Sequence, residues 1–155
     1  MLILKTLPTG LILVTPDSTA EMESLYQLRW EILRQPLGLS PGSEQDQMEE
    51  TSTHRMIWDP VSKLALASGR IHAVNPNEAQ IRYMAVARQA QGMGLGKLIL
   101  EALEVVAAEK SWPEIWLNAR EEALPFYLKS GYQNQGEIDP ILGIRHFRMT
   151  KSVIQ

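Results

Sequence analysis

The chain has 155 residues, of which 45% are hydrophobic and 21% are charged, as in an ordinary folded protein rather than a disordered or fibrous one. Its net charge of -3 and its lack of any run of Lys and Arg argue against a nucleic-acid partner. The absence of cysteine excludes disulfides, thiol nucleophiles and thiolate metal sites. We therefore expect one domain over residues 1–155, located in the cytoplasm.

The N-terminal third is predicted to contain a strand, a helix and a loop. Residues 11–14 form the first predicted strand, and the apolar segment around it, interrupted by Pro8 and Gly10, matches neither a signal peptide nor a membrane span. The turn ending at Ser18 provides an N-cap for a helix over residues 19–34. Residues 35–47 are rich in Pro, Gly and Ser and are predicted to be a loop.

Three successive antiparallel strands are predicted next, over residues 54–58, 63–74 and 81–87. The helix that follows is the most strongly patterned element, because its apolar residues recur at the spacing of one helical face. These residues are Leu95, Leu98, Ile99, Ala102, Leu103 and Val106.

The C-terminal part is predicted to add three strands and a short helix. The strands cover residues 114–118, 132–138 and 144–151, with Asp139-Pro140 separating the last two. The helix covers residues 123–130 and ends at Gly131, a typical C-terminal cap. Helices and strands thus mix in an α/β arrangement around one largely antiparallel sheet.

A glycine-rich segment joins the third strand to the long helix: Gln91-Gly92-Met93-Gly94-Leu95-Gly96-Lys97. Its glycines can turn several backbone N–H groups toward one point, where the positive end of the helix dipole also favours an anion. A Walker A loop would need Gly at Gln91 and Ser or Thr at Leu98, and a dinucleotide fingerprint would need Gly or Ala at Lys97. Bound ATP, GTP or dinucleotide is therefore disfavoured.

Three motifs taken together resemble the GNAT superfamily of N-acetyltransferases: Met84-Ala85-Val86, then Gln91-x-x-Gly94-x-Gly96, then Phe126-Tyr127-x-x-x-Gly131-Tyr132. The resemblance implies an α/β GNAT fold with a central mixed, largely antiparallel sheet of about six or seven strands and helices on both faces. It also implies acetyl-coenzyme A as cosubstrate, an amine as acceptor and no metal.

The resemblance further implies roles for individual residues. Tyr127 would be the general acid that protonates the departing thiolate, and the backbone N–H of Val86 would polarise the thioester carbonyl. Met84 and Ala85 would lie beside the pantetheine arm. The main chain of Gln91, Gly92, Met93, Gly94, Leu95, Gly96 and Lys97 would contact the pyrophosphate. Contacts from Asn118 or Arg120 to the coenzyme stay open, because many relatives carry Asn where this chain has Arg120.

The general base is not identified by the sequence. Four residues lie on elements that could border the acceptor pocket: Glu31, His54, His72 and Tyr83. An ordered water could relay the proton instead. The three histidines, His54, His72 and His146, have no metal-ligand spacing.

We therefore predict an acetyl-coenzyme A-dependent N-acetyltransferase that acts on a primary amine of a small molecule or peptide, by direct attack. A module that binds or senses acyl-coenzyme A without catalysis is the alternative, and a nucleotide-binding protein is a weaker one. The expected partners are acetyl-coenzyme A and the acceptor, with no nucleic acid and no membrane, in a monomer or homodimer.

Overall fold

The computed structural model describes residues 1–153, which form one sheet with α helices packed on it. The helices are α1 (Thr19–Leu33), α2 (Leu95–Glu109) and α3 (Leu124–Lys129). The strands are β1 (Leu2–Thr6), β2 (Ile12–Thr15), β3 (Thr53–Asp59), β4 (Leu64–Asn75), β5 (Glu78–Val86), β6 (Glu114–Arg120), β7 (Gln133–Ile141) and β8 (Ile144–Ser152). Short 3-10 turns occur at Gln35–Leu37, Arg88–Ala90 and Glu121–Ala123.

The strands lie in the order β1-β2-β3-β4-β5-β6-β8-β7. In the described part of the chain, β5 and β6 form the one parallel pair, and every other neighbouring pair is antiparallel. A parallel pair needs a crossover connection, and α2 lies in that connection. The predicted mixed, largely antiparallel sheet is confirmed.

Strand β4 shows that helices cover both faces of the sheet. A Cβ on Gly69 would lie 2.9 Å from Cγ2 of Ile99, so α2 packs directly against this strand on one face. The next residue, Arg70, is fully buried and points to the opposite face, where α1 packs. The core of the α2 face includes Leu95, Ile99, Leu103 and Val106, as the helical pattern predicts.

Strands β5 and β6 separate soon after they begin. They pair at Glu78, Ala79 and Gln80 of β5, and no pairing continues between them in the rest of the described strands. On its other edge, β5 carries a register shift against β4 and places Tyr83 at a φ of 59°, which marks a β-bulge. The result is a gap in the middle of the sheet.

Two parts of the predicted strand pattern were wrong. Strand β1 was not predicted, because all five of its side chains are exposed and give no alternation to detect, and it raises the sheet to eight strands instead of six or seven. Asp139 and Pro140 lie within β7 rather than between β7 and β8. β7 tolerates them because it is an edge strand with a register shift there, and the turn itself falls at Leu142 and Gly143.

Within residues 1–153, the helices are all too short or too polar to cross a lipid bilayer.

Candidate active site

The glycine loop, residues 91–97, presents unused backbone donors. Gly92 and Gly94 have φ values of 83° and 76°, in the left-handed region that other residues rarely adopt. Gly94 is the N-cap of α2 and supplies no side-chain cap. Within residues 1–153, none of the six N–H groups from Gly92 to Lys97 donates a hydrogen bond to the protein. These donors and the positive end of α2 point to the same region, an arrangement suited to an anion.

A cavity of about 470 Å³, here called the loop cavity, lies against these donors. Its lining residues are Val86, Ala90, Gln91, Gly92, Gly94, Leu95, Gly96, Lys97, Phe126, Lys129 and Ser130. The Phe126 ring would lie 3.5 Å from a Cβ on Gly96, an ordinary van der Waals distance, so α3 packs beside the start of α2. Lys97 and Lys129 are the two cationic residues of this lining.

A second cavity of about 360 Å³, here called the slot, occupies the gap between β5 and β6. Its lining comes from α1, β5, β6, α3 and the β7–β8 hairpin: Leu33, Arg34, Gln80, Ile81, Arg82, Tyr83, Met84, Leu117, Asn118, Ala119, Arg120, Ala123, Tyr127, Ile141, Leu142, Ile144 and His146. The slot and the loop cavity share no lining residue, but α3 borders both, through Tyr127 and Phe126 respectively.

Tyr127 lines the slot although its side chain is almost entirely buried. Its ring packs edge-on against Phe126, with centroids 4.9 Å apart, and against Tyr132, with centroids 5.7 Å apart. Burial raises the pKa of the Tyr127 phenol, because the phenolate would be poorly solvated there. The hydroxyl is therefore neutral at physiological pH and is available as a donor.

The backbone of Val86 is directed at the gap. Ala87 donates its N–H to the carbonyl oxygen of Leu66 on β4, at 2.8 Å. Since successive N–H groups of a strand point to opposite sides, the N–H of Val86 points away from β4, toward the side from which β6 has diverged. Val86 lines the loop cavity and Met84 lines the slot, whereas Ala85 and Met93 line neither.

Of the four residues considered for the general base, Tyr83 lines the slot. The other three, Glu31, His54 and His72, line neither cavity. Glu31 accepts a hydrogen bond from Gln27, and Nε2 of His54 bonds to the carbonyl oxygen of Glu49. Burial lowers the pKa of both His54 and His72. In the described chain, no His, Asp or Glu side chains form a group of three suited to a metal ion.

His146 lines the slot and was not among those four. Its Nδ1 lies 2.7 Å from the carbonyl oxygen of Ile144 and donates to it, which leaves Nε2 as an acceptor. The pairing of His146 on β8 with Arg120 on β6 brings it to the slot, and this pairing joins positions far apart in sequence.

A cluster of arginines surrounds Tyr83 on the α1 face. The guanidinium carbons of Arg29, Arg70, Arg82 and Arg34 lie 4.3, 4.9, 4.5 and 5.4 Å from the centre of its ring. Three of them pair with carboxylates: Arg29 with Glu49, Arg70 with Asp46 and Glu49, and Arg82 with Asp46. Hydrogen bonds from Arg70 lower the pKa of Asp46 to about 2. No local sequence pattern predicts this network, because its members come from α1, β4, β5 and the segment between α1 and β3.

Asn118 and Arg120 both line the slot rather than the loop cavity. Asn118 accepts a hydrogen bond from Nε of Arg148 at 3.0 Å. Arg120 donates to the carbonyl oxygen of Leu33, the last residue of α1, at 3.1 Å.

The sequence profile described as the acetyltransferase (GNAT) domain matches residues 39–153, most of the chain. The chain belongs to the GNAT family of acetyltransferases. This GNAT protein is 26% identical over 139 residues to the uncharacterized N-acetyltransferase YjcF of Bacillus subtilis, with 89% of this chain and 97% of the relative covered.

Two solved structures share the GNAT fold of this chain. One is an aminoglycoside 6'-N-acetyltransferase complexed with coenzyme A, with a TM-score of 0.79, 15% identity and coverage of 93% of this chain and 98% of that one. The other is an acyl-CoA N-acyltransferase from Pseudomonas aeruginosa, with a TM-score of 0.76, 23% identity and coverage of 92% and 98%.

Proposed function

We propose that this GNAT protein transfers an acetyl group from acetyl-coenzyme A to a primary amine of a small molecule or peptide, by direct attack. The observation that carries the proposal is the free set of N–H groups from Gly92 to Lys97, which opens onto a cavity next to the slot. These amides would bind the pyrophosphate, with Lys97 and Lys129 adding charge. The pantetheine arm would then pass Val86 and Met84 into the gap between β5 and β6.

In the proposed reaction the neutral amine nitrogen forms a bond to the thioester carbonyl carbon. The negative charge that develops on the carbonyl oxygen is stabilised by the N–H of Val86, and loss of such a donor typically costs about 10²–10³ in rate. The C–S bond then breaks, and Tyr127 donates its proton to the leaving sulfur. The proton released by the amine restores the phenol, so the products are the amide and free coenzyme A.

The acid role of Tyr127 fits its surroundings. A buried phenol with a raised pKa stays protonated across physiological pH, so the proton is in place whenever the sulfur departs. The cost of a buried phenolate also makes Tyr127 a weaker acid than a free phenol, so donation to the sulfur would have to be coupled to delivery of the amine proton. His146 and Tyr83 line the same slot and are the groups through which that proton can move.

The decisive experiment measures thiol release from acetyl-coenzyme A across a panel of amines, in the wild type and in Tyr127→Phe. We expect amine-dependent release in the wild type and a loss of about 10²–10⁴ in kcat in the variant, with coenzyme A affinity unchanged. Tyr132→Phe is the matched control, since the Tyr132 hydroxyl bonds Glu104 and does not line the slot.

Two other results would support the alternatives. Tight binding of acetyl-coenzyme A without thiol release for any amine would identify a non-catalytic binding module. Thermal stabilisation by ATP and not by coenzyme A would identify a nucleotide-binding protein.

A further inference from the structure

We propose, on the basis of the transferase function above, that the acceptor is an amine that also carries an acidic group, a carboxylate or a phosphate, bound by Arg34 and Arg120 in the slot. The two arginines come from distant parts of the chain, since Arg34 is the C-cap of α1 and Arg120 ends β6. Both line the slot together with Tyr127 and Met84.

Their guanidinium groups converge on one neutral atom. Nη1 of Arg34 donates to the carbonyl oxygen of Leu33 at 3.2 Å, and Nη2 of Arg120 donates to the same oxygen at 3.1 Å. The remaining bond of Arg34 goes from Nε to the carbonyl of Ser43, at 3.1 Å. Two cations therefore share a carbonyl oxygen, which balances neither charge.

Among the residues that the structure describes, the other arginines of the cluster form ion pairs, unlike Arg34 and Arg120. Arg29, Arg70 and Arg82 each lie within 3.0 Å of a carboxylate oxygen, whereas in the described residues neither Arg34 nor Arg120 has an Asp or Glu within ion-pair distance. The residues that line the slot include no Asp or Glu. The positive charge of Arg34 and Arg120 is thus left for something that enters the slot.

The charge count of the whole region points the same way. The region contains five guanidinium groups, those of Arg29, Arg34, Arg70, Arg82 and Arg120. In the part of the chain that the structure describes, only two carboxylates, those of Asp46 and Glu49, form ion pairs with any of them. A third carboxylate, that of buried Glu44, accepts hydrogen bonds from the N–H of Gly42 and the side-chain amide of Gln45. The region keeps an excess of positive charge with Glu44 included.

The nearest competing carboxylate is that of exposed Glu122. Burial lowers the pKa of Arg120, the charge of Glu122 raises it, and the charge of Arg34 lowers it by a smaller amount. The negative end of the α1 dipole lies at Leu33 and offsets part of the repulsion between the two arginines. A planar guanidinium fork is well matched to carboxylate and phosphate oxygens, so an acidic group would satisfy both side chains.

Arg34 and Arg120 lie apart from the loop amides that are proposed to bind the pyrophosphate. Arg34 and Arg120 are absent from the loop cavity, where the backbone donors lie. An acid held by them in a slot of about 360 Å³ would place a nearby amine between the arginines and Tyr127. The end of the pantetheine arm would share this volume, so we expect a small acceptor.

The test compares matched acceptors in the thiol-release assay. One pair is L-leucine and its methyl ester, and the other is O-phosphoethanolamine and ethanolamine; spermidine serves as a cationic acceptor. We expect kcat/KM to be at least about tenfold higher for an acidic member, since hydrogen bonds to charged groups contribute about 1.5–3 kcal/mol. The ester amine is less basic and more often neutral, so intrinsic reactivity works against this result.

Arg34→Gln and Arg120→Gln are each expected to raise the KM for the acidic acceptor by about 10–100-fold. The kcat, and the KM for the neutral acceptor, should change by less than about threefold. Arg120→Lys is expected to restore part of the affinity. Arg145→Gln is the control, because Arg145 is exposed and pairs with Glu121 and Glu137 outside the slot. A purely structural capping role would lower thermal stability without changing the choice of acceptor.

Calorimetric titration of leucine and of O-phosphoethanolamine into the coenzyme A complex provides a readout independent of catalysis. Binding of either that is lost in Arg120→Gln supports the acid site, even where no transfer occurs and the proposed activity itself fails. The acceptor proposal is overturned if spermidine or the neutral members are acetylated better, or if neither acid binds. If just one of the two acids is preferred, the result supports the proposal and shows whether the carboxylate or the phosphate is recognised.

Discussion

The two proposed anion sites, in the glycine loop and in the arginine-lined slot, are built from different kinds of donor. The loop uses backbone N–H groups from one continuous segment, Gly92 to Lys97, whose orientation depends on two left-handed glycines. The slot uses side chains brought together from α1, β5 and β6 around Tyr83. The first site is formed by local backbone geometry. The second depends on the paired charges beneath it, so the two should respond differently to substitution.

The largest effect is expected when the ion pairs beneath the slot are broken. Glu49→Gln leaves fully buried Arg29 without its carboxylate, which lies 3.0 Å away, and such a change typically costs about 3–5 kcal/mol. Urea denaturation measures the free energy of unfolding. Glu101→Gln, in an exposed pair with Lys97, is the control and should change it by less than about 1 kcal/mol. Equal losses in both variants would contradict this account of the network.

The next effect concerns pH. The pKa of Asp46 is lowered to about 2 in the folded protein, below its usual value near 4, so its contribution to stability is present above about pH 4 and is lost as the pH falls toward 2. The free energy of unfolding of the wild type should therefore exceed that of Asp46→Asn by about 2 kcal/mol at pH 6, and this difference should shrink toward zero at pH 2. Urea denaturation of both proteins at each pH tests this, and a constant difference would contradict it.

The smallest effect is expected in the glycine loop. Gly94→Ala forces a Cβ into the left-handed region at a cost of about 1–2 kcal/mol, and misdirecting one N–H should weaken coenzyme A binding about tenfold. Gly38→Ala has a similar φ of 74° and lies outside both cavities, so it should lose stability without losing affinity. Calorimetry of coenzyme A binding separates the two variants. Equal affinities would show that the loop amides do not bind the coenzyme.

Much of the fold could be predicted from local pattern. The capping Ser18 placed α1 to within one residue. The apolar residues from Leu95 to Val106 identified α2, because burial of one face imposes a helical period on the sequence. Strand β1 could not be found, since its exposed residues carry no such period. The predicted position of the β7–β8 turn, at Asp139-Pro140, was also wrong, because an edge strand can hold a proline that a central strand cannot.

The candidate site divides along the same line. The sequence by itself determined the glycine loop, because φ-permissive residues and a helix start are encoded in consecutive positions. Only the tertiary structure decided that Arg34, Arg120 and His146 meet in one slot, and that Arg34 and Arg120 lack a carboxylate while Arg29 and Arg70 have one. Side-chain charge balance depends on neighbours that come from distant positions in the chain, and no local pattern records which neighbours those will be.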